Sequence, residues 1–159
     1  MSSFAKKLRE GRVWETKFAE RLQAKGISCE VFQDENGTQC VKVEDKDCAC
    51  PDIVVYNNGQ EVILRIEVKT LQKLYDGFGV TIPVTHFEDY ITIQKSDKIP
   101  VRIVFYIIGL KEWYWNTLDN LNESKSSLGK AYFPGDKREH YVWRVEYLET
   151  DFSSFYSET

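Results

Sequence analysis

The chain has 159 residues, 42% hydrophobic and 29% charged, a balance that suits one globular domain over residues 1–159 and excludes a disordered or collagen-like chain. No apolar run approaches the roughly 18 residues of a membrane-spanning helix, and the lysines of Met1–Glu10 are not followed by a leader-like apolar stretch, so a cytoplasmic location without a membrane partner is expected. The net charge of −4 argues against a protein that coats nucleic acid by bulk electrostatics, though not against a local basic groove.

The first predicted element is a helix from about Phe4 to Lys25, stopped by Gly26. Phe4, Leu8, Trp14, Phe18, Ala19 and Leu22 fall on one helical stripe. With Trp14 at zero, Phe18 lies at roughly 40°, Leu22 at 80°, Leu8 at 120° and Ala19 at 140°. Glu15 falls at about 100°, inside that apolar stripe. A carboxylate facing a core is costly unless it is paired or binds a cation, so Glu15 is a candidate functional residue on grounds independent of any motif. Lys6, Lys7, Arg9 and Arg12, and later Lys125, Lys130, Lys137 and Arg138 in an expected loop, form basic runs of the kind that usually make solvated faces.

Two short strands are predicted around Ile27–Gln33 and Gln39–Glu44, joined by Asp34–Thr38 with its Asn-Gly turn signal. A loop carrying Cys48-Ala49-Cys50-Pro51 follows. The spacing of Cys29, Cys40, Cys48 and Cys50 fits no common zinc signature, and buried thiols are the expectation.

A hairpin comes next, with strands Asp52–Tyr56 and Glu61–Thr70 around Asn57-Asn58-Gly59-Gln60. In the second strand Val62, Leu64, Ile66 and Val68 point one way, and Glu61, Ile63, Arg65, Glu67 and Lys69 the other. An even loop pairs Tyr56 with Glu61 and Asp52 with Arg65, which makes Asp52 a diagonal neighbour of Glu67 on one face. Two carboxylates so placed can chelate one hard cation, and the Lys69 ammonium can reach a phosphate oxygen or a water. An odd loop would carry Asp52 to the other face and destroy the arrangement.

Tyr75–Gly79 reads as a glycine-bearing loop. His86–Ser96 fits a helix through Phe87, Tyr90, Ile91 and Gln94. Val101–Ile108 is nearly all apolar, as a strand covered on both faces should be. Trp113–Leu118 is expected to be an edge strand, Asn120–Gly135 an exposed loop, and Glu139–Leu148 a last strand. In that strand Tyr141, Trp143, Val145 and Tyr147 alternate with polar residues, and His140 is expected to face outward. The order of elements describes an α/β domain with a central mixed β-sheet flanked by helices.

Pro51-Asp52 followed by Glu67-Val68-Lys69 resembles the PD-(D/E)XK nuclease superfamily, whose fold is restriction-endonuclease-like. The preceding helix, Gly11-Arg12-Val13-Trp14-Glu15-Thr16-Lys17-Phe18-Ala19-Glu20, resembles the first helix of its Holliday-junction-resolvase-like branches, which often supplies an extra acidic residue. The resemblance covers residues Gly11 to Ile108 and implies an αβββαβ core. It implies a metal-dependent nuclease acting on DNA, with RNA left open. Asp52, Glu67 and the backbone carbonyl of Val68 would hold Mg²⁺ or Mn²⁺, with Glu15 on the same ion, a second ion or a water. Lys69 would orient or activate the attacking water and stabilise charge on the phosphate. Gln94, on the following helix, would contact substrate.

Each residue also has a plainer reading. Glu67 and Lys69 suit a solvated strand face, Asp52 a turn after Pro51, and Glu15 an ion pair with Arg65. The competing functions are a catalytically inactive nucleic-acid-binding or regulatory module on a nuclease fold, and a homodimer built on an exposed aromatic strand at Glu139–Leu148.

Overall fold

In the computed structural model, residues 3–32, 40–125, 130–133 and 136–157 are described, with side chains for 10–32, 40–125 and 138–157. Helix α1 (Ser3–Ala24) buries Phe18, Ala19 and Leu22 as its stripe requires. It ends at Gly26, whose φ of +80° suits a residue without a Cβ. The side chains of Phe4 and Leu8 lie outside the described ones.

Five strands form the main sheet in the order β1-β4-β5-β7-β8. They are β1 (Ser28–Val31), β4 (Ile53–Tyr56), β5 (Val62–Leu71), β7 (Val101–Ile107) and β8 (Glu112–Thr117). β5 and β7 run parallel and the other neighbours antiparallel, so the sheet is mixed. The parallel pair needs a crossover, which α2 (Val84–Asp97) provides within His86–Ser96 and its flanks. The expected αβββαβ core is thus α1, β1, β4, β5, α2 and β7.

The second predicted strand is not part of this sheet. β2 (Cys40–Val43) pairs with β3 (Lys46–Ala49) in a separate hairpin, inserted between core strands and packed on α2 through Cys48, Cys50 and Ile93. The expected loop at Cys48–Pro51 is therefore partly strand. A run this short, with Asp47 before Cys48 and Ala49 after it, carries little β signal. Cys29, Cys48 and Cys50 are buried thiols, and Cys40 is exposed. The Asp34–Thr38 turn lies outside the described residues.

A second small sheet, β6 (Gly79–Pro83), β10 (Asp136–Arg144) and β9 (Lys130–Phe133), has the order β6-β10-β9. β6 has no counterpart in the sequence reading, because all five of its residues are buried and it shows no alternation. Part of the expected Asn120–Gly135 loop is helix α3 (Leu118–Ser124), anchored by Leu118 and Leu121. Lys130 and Arg138 accordingly lie in strands and not in a loop.

The last strand corrects two expectations. Trp143 is fully buried and its indole Nε1 donates to the Leu121 carbonyl at 2.9 Å. Tyr141 and Trp143 pack on Phe87 of α2, so this aromatic face is core and not the exposed strand expected. His140 is 6% exposed and does not face outward. The strand ends at Arg144, and Val145–Tyr147 form a 3₁₀ turn. Alternation suits a strand with one wet face, but His140, Tyr141, Val142 and Trp143 are buried on both faces of this one, and exposure returns only at Arg138 and Arg144.

The two apolar cores lie on opposite faces of the main sheet. Leu64, Ile66 and Val68 of β5 pack with Phe18 and Leu22 of α1, together with Phe152 and Phe155 at helix α4 (Ser153–Ser157). Ile103 and Phe105 of β7 pack with Phe87 and Tyr90 of α2, beneath Val80, Ile82 and Trp143 of the second sheet. Among the described residues no helix is long and apolar enough to cross a membrane.

Candidate active site

The hairpin β4–β5 places the first two carboxylates. Ile53 pairs with Ile66, Val54 with Arg65 and Val55 with Leu64. Continuing by one step sets Asp52 directly opposite Glu67, closer than the expected diagonal. The loop is odd, because Tyr56 pairs with Val62 and Asn57–Glu61 lie between them. Asn57 Oδ1 accepts from the N–H groups of Gly59 (2.9 Å) and Glu61 (3.0 Å), which fixes this longer turn. A shift in register between Val55 and Tyr56 leaves Ile63 as an extra residue on β5. That bulge restores the parity the odd loop would have broken, and Asp52 stays on the face of Glu67.

Asp52 is 2% exposed and Glu67 5% exposed. Asp52 Oδ2 accepts the backbone N–H of Val68 at 2.8 Å, which locks the carboxylate onto β5. Val68 thus meets the site through its main chain, while its side chain packs on the α1 side. Lys69 Nζ lies 3.4 Å from Glu67 Oε1 and 5.8 Å from the centre of the Tyr90 ring. Glu67 Oε2 is buried without any hydrogen-bond partner.

Glu15 joins from α1. Its carboxyl lies within hydrogen-bonding reach of Asp52, and Asp52 within reach of Glu67, when one member of each pair is protonated. Arg65, the alternative partner for Glu15, is held instead by Asp97 at 2.5 Å. The stripe angle therefore located Glu15 correctly: it points inward, toward other carboxylates.

Such crowding shifts proton affinities. Burial, then the charge of Glu15, push Asp52 up to about 7, against the lowering pull of the Val68 N–H and Lys69. Burial and the charge of Asp52 raise Glu67 well above the usual carboxylate range. Burial and the charge of Glu67 raise Glu15. Among the described residues no three acidic, histidine or cysteine side chains are already splayed as ligands around one point. The three carboxyls stand instead as a chain that shares protons. One lysine cannot neutralise all three, and the unpartnered Glu67 oxygen marks where a positive group is missing. This donor set, all oxygen and partly anionic, fits a hard divalent cation.

Gln94 is not brought to this cluster. Its Oε1 accepts the Val101 N–H at 2.9 Å and its Nε2 donates to Asp119 Oδ1 at 2.8 Å. Val101 pairs with Arg65, two residues before Glu67, so Gln94 sits about one helical turn too far along α2. Gln94→Ala is expected to cost about 1–3 kcal/mol in urea unfolding by orphaning the Val101 N–H. The same variant should leave any cleavage rate within about twofold of wild type.

Two residues on the same helical face reach the site instead. Tyr90, 2% exposed, brings its hydroxyl to Glu67, where it lowers the proton affinity that burial raises. His86 has a buried Nδ1 without a partner, and burial followed by the charges of Lys69 and Arg138 push it down to about 4, so it is neutral at pH 7. Their spacing, four residues apart and four before Gln94, was the available signal. Only the strand register tells which turn of the helix faces Glu67.

No protein-family model matches the sequence, and no curated protein is significantly similar to it. Among solved structures, Hjc, a Holliday junction resolvase from the archaeal hyperthermophile Archaeoglobus fulgidus, superposes with a TM-score of 0.55 at 14% identity. The match covers 91% of this chain and 94% of that one. The fold is restriction-endonuclease-like. A nuclease from a fusselovirus aligns with this nuclease-like fold at a TM-score of 0.50 and 12% identity, over 94% of this chain and 86% of its own. In the same fold the β2–β3 hairpin and the β6-β10-β9 sheet are attached around the core strands that carry Asp52 and Glu67.

Proposed function

We propose that this protein is a metal-dependent nuclease that hydrolyses phosphodiester bonds in DNA. The observation that carries the reading is the buried Glu15–Asp52–Glu67 trio with one lysine and an unpartnered Glu67 oxygen. A fold under selection for stability alone has no use for it, since buried carboxylates without compensation cost several kcal/mol. The shared fold with two nucleases supports the same reading.

Asp52, Glu67 and the Val68 carbonyl would hold Mg²⁺ or Mn²⁺, with Glu15 completing the acidic set. A cation bound there would acidify a water and offset charge growing on the phosphate. The remaining work falls to the chain's own side chains. The Val68 N–H fixes the rotamer of Asp52. The Tyr90 hydroxyl, facing Glu67, favours the ionised form of the second carboxylate. Lys69, held beside Glu67, orients the attacking water and stabilises charge on the phosphate oxygen. His86, neutral beside Lys69, adds no competing positive charge.

Incubation with supercoiled, linear and branched DNA in Mg²⁺ or Mn²⁺ tests the proposal. Cleavage should appear with metal and disappear with chelator and in Lys69→Ala. Cleavage that survives Lys69→Ala and Asp52→Asn would falsify the assignment. Tyr90→Phe removes only a hydroxyl and should retain the fold. It should weaken Mn²⁺ binding about 10-fold, as losing a group that orients a metal ligand typically does, measured by calorimetry.

A further inference from the structure

Charge is distributed unevenly along this chain. Residues 1–25 hold seven Lys and Arg against three Glu, in a protein whose net charge is −4. α1 is thus a cationic helix on an otherwise acidic body. Lys17, Arg21 and Lys25 recur every four residues along α1 and just past its end, all of them exposed. Taking Trp14 as zero they lie at roughly 300°, 340° and 20°, one narrow row, well away from Glu15 at about 100°.

Each cation of the row lies over an aromatic ring. Lys17 Nζ sits 4.3 Å over the Trp14 ring, and Lys25 Nζ sits 5.3 Å over Tyr156. The Arg21 guanidinium lies 5.3 Å over Trp113 and 5.5 Å over Phe152. Among the described residues none of the three forms a salt bridge, whereas Lys46, Arg65, Lys69 and Lys125 all do. The aromatic rings hold each long side chain in place without neutralising it. Steps of about 6 Å between successive cations suit a polyanion with regularly spaced charges.

We infer that Lys17, Arg21 and Lys25 form a binding row for a nucleic-acid sugar–phosphate backbone, on the flank of α1 away from the carboxylates. The inference rests on the nuclease reading only for its choice of polyanion. The row contacts phosphates and reads no bases, so it adds affinity without sequence preference. A strand held there lies outside the reacting phosphate, and its contribution is made in binding, before cleavage.

The test is fluorescence anisotropy with a labelled 30-base-pair DNA duplex in EDTA, titrated at several salt concentrations. Wild type is compared with the triple variant Lys17→Gln, Arg21→Gln, Lys25→Gln. A control triple, Lys42→Gln, Lys95→Gln, Lys98→Gln, removes the same charge from exposed positions elsewhere. The row variant should bind at least about 10-fold more weakly at low salt, and its salt slope should fall by about 2–3, the release expected for three phosphate contacts. The control should match wild type. Equal behaviour of the row variant and wild type overturns the inference, and so does an equal loss in the control. The single variants, read in the same assay, decide the matter if the triple does not fold. Mn²⁺ binding by the row variant should equal wild type, whereas failure of wild type itself to bind Mn²⁺ speaks against the carboxylate site and leaves the DNA comparison to judge the row. Wild type that binds Mn²⁺ but no duplex also overturns it.

Discussion

Asp52→Asn is expected to lower metal-dependent cleavage by at least about 10²–10³-fold, while making the metal-free protein more stable above neutral pH. The carboxyl titrates at about 7 in the folded protein, against an ordinary value of 3.8. Between those values the folded state keeps a proton that the unfolded chain has released. Stability of the metal-free protein therefore falls as pH rises from about 4 to about 7, and then levels off. Asparagine carries no such dependence. The variant should gain up to about 4 kcal/mol over wild type at pH 8 and little at pH 4. In a domain of this size each kcal/mol moves Tm by about 2–4 °C. Melting curves of both proteins in EDTA at pH 4, 6 and 8 check the sign. A variant less stable than wild type at pH 8 would mean that Asp52 is there for the fold, through its bond to Val68, and not for a cation. Gain of stability with loss of activity is the pattern of a functional group kept at a structural cost.

Trp143→Ala should be the most damaging single change to the fold. The ring is fully buried, packs 5.2 Å from Phe87 and 5.9 Å from Tyr141, and bonds Leu121 across the second core. Truncation removes a large apolar surface and leaves a cavity, at a cost of about 3–5 kcal/mol. The Leu121 carbonyl, left buried and unpaired, adds about 1 kcal/mol or more. Trp143→Phe keeps the ring contacts and should lose only part of this. Urea unfolding separates the two variants, and sedimentation of Trp143→Phe should match wild type, because this strand is core and not an interface. Equal, small losses in both variants would show that the β6-β10-β9 sheet is only loosely docked on α2.

The sequence made the core strands and the carboxylate pair legible for a specific reason. From Leu64 to Lys69 β5 alternates cleanly, and its two faces meet different partners, α1 on one side and α2 on the other. Glu67 and Lys69 could therefore be placed on one face from the pattern alone. Asp52 was placed on the right face through a loop of the wrong length. The Ile63 bulge cancelled the difference, and a bulge leaves no mark in a hydrophobic alternation. Glu15 was legible because a charge inside an apolar stripe is a local contradiction, and such contradictions gather at functional sites. β6 was invisible because a fully buried strand does not alternate. Gln94 and Tyr90 share one helical face, and only the pairing of Val101 with Arg65 and Ile103 with Glu67 decides which of them meets the carboxylates. That is tertiary information, absent from any window of the sequence.

Calorimetric titration of the metal-free protein with Mn²⁺, at pH 6 and pH 8 in buffers of different ionisation heat, tests the carboxylate site most directly. The carboxyls that share protons in the free protein must release them to a cation. Affinity should therefore rise from pH 6 to pH 8 as Asp52 passes its value of about 7, proton release should be larger at pH 6, and Glu67→Gln with Asp52→Asn should abolish binding. Mn²⁺ affinity that is the same in wild type and in that double variant, or binding without proton release at pH 6, would contradict a metal centre at Glu15, Asp52 and Glu67.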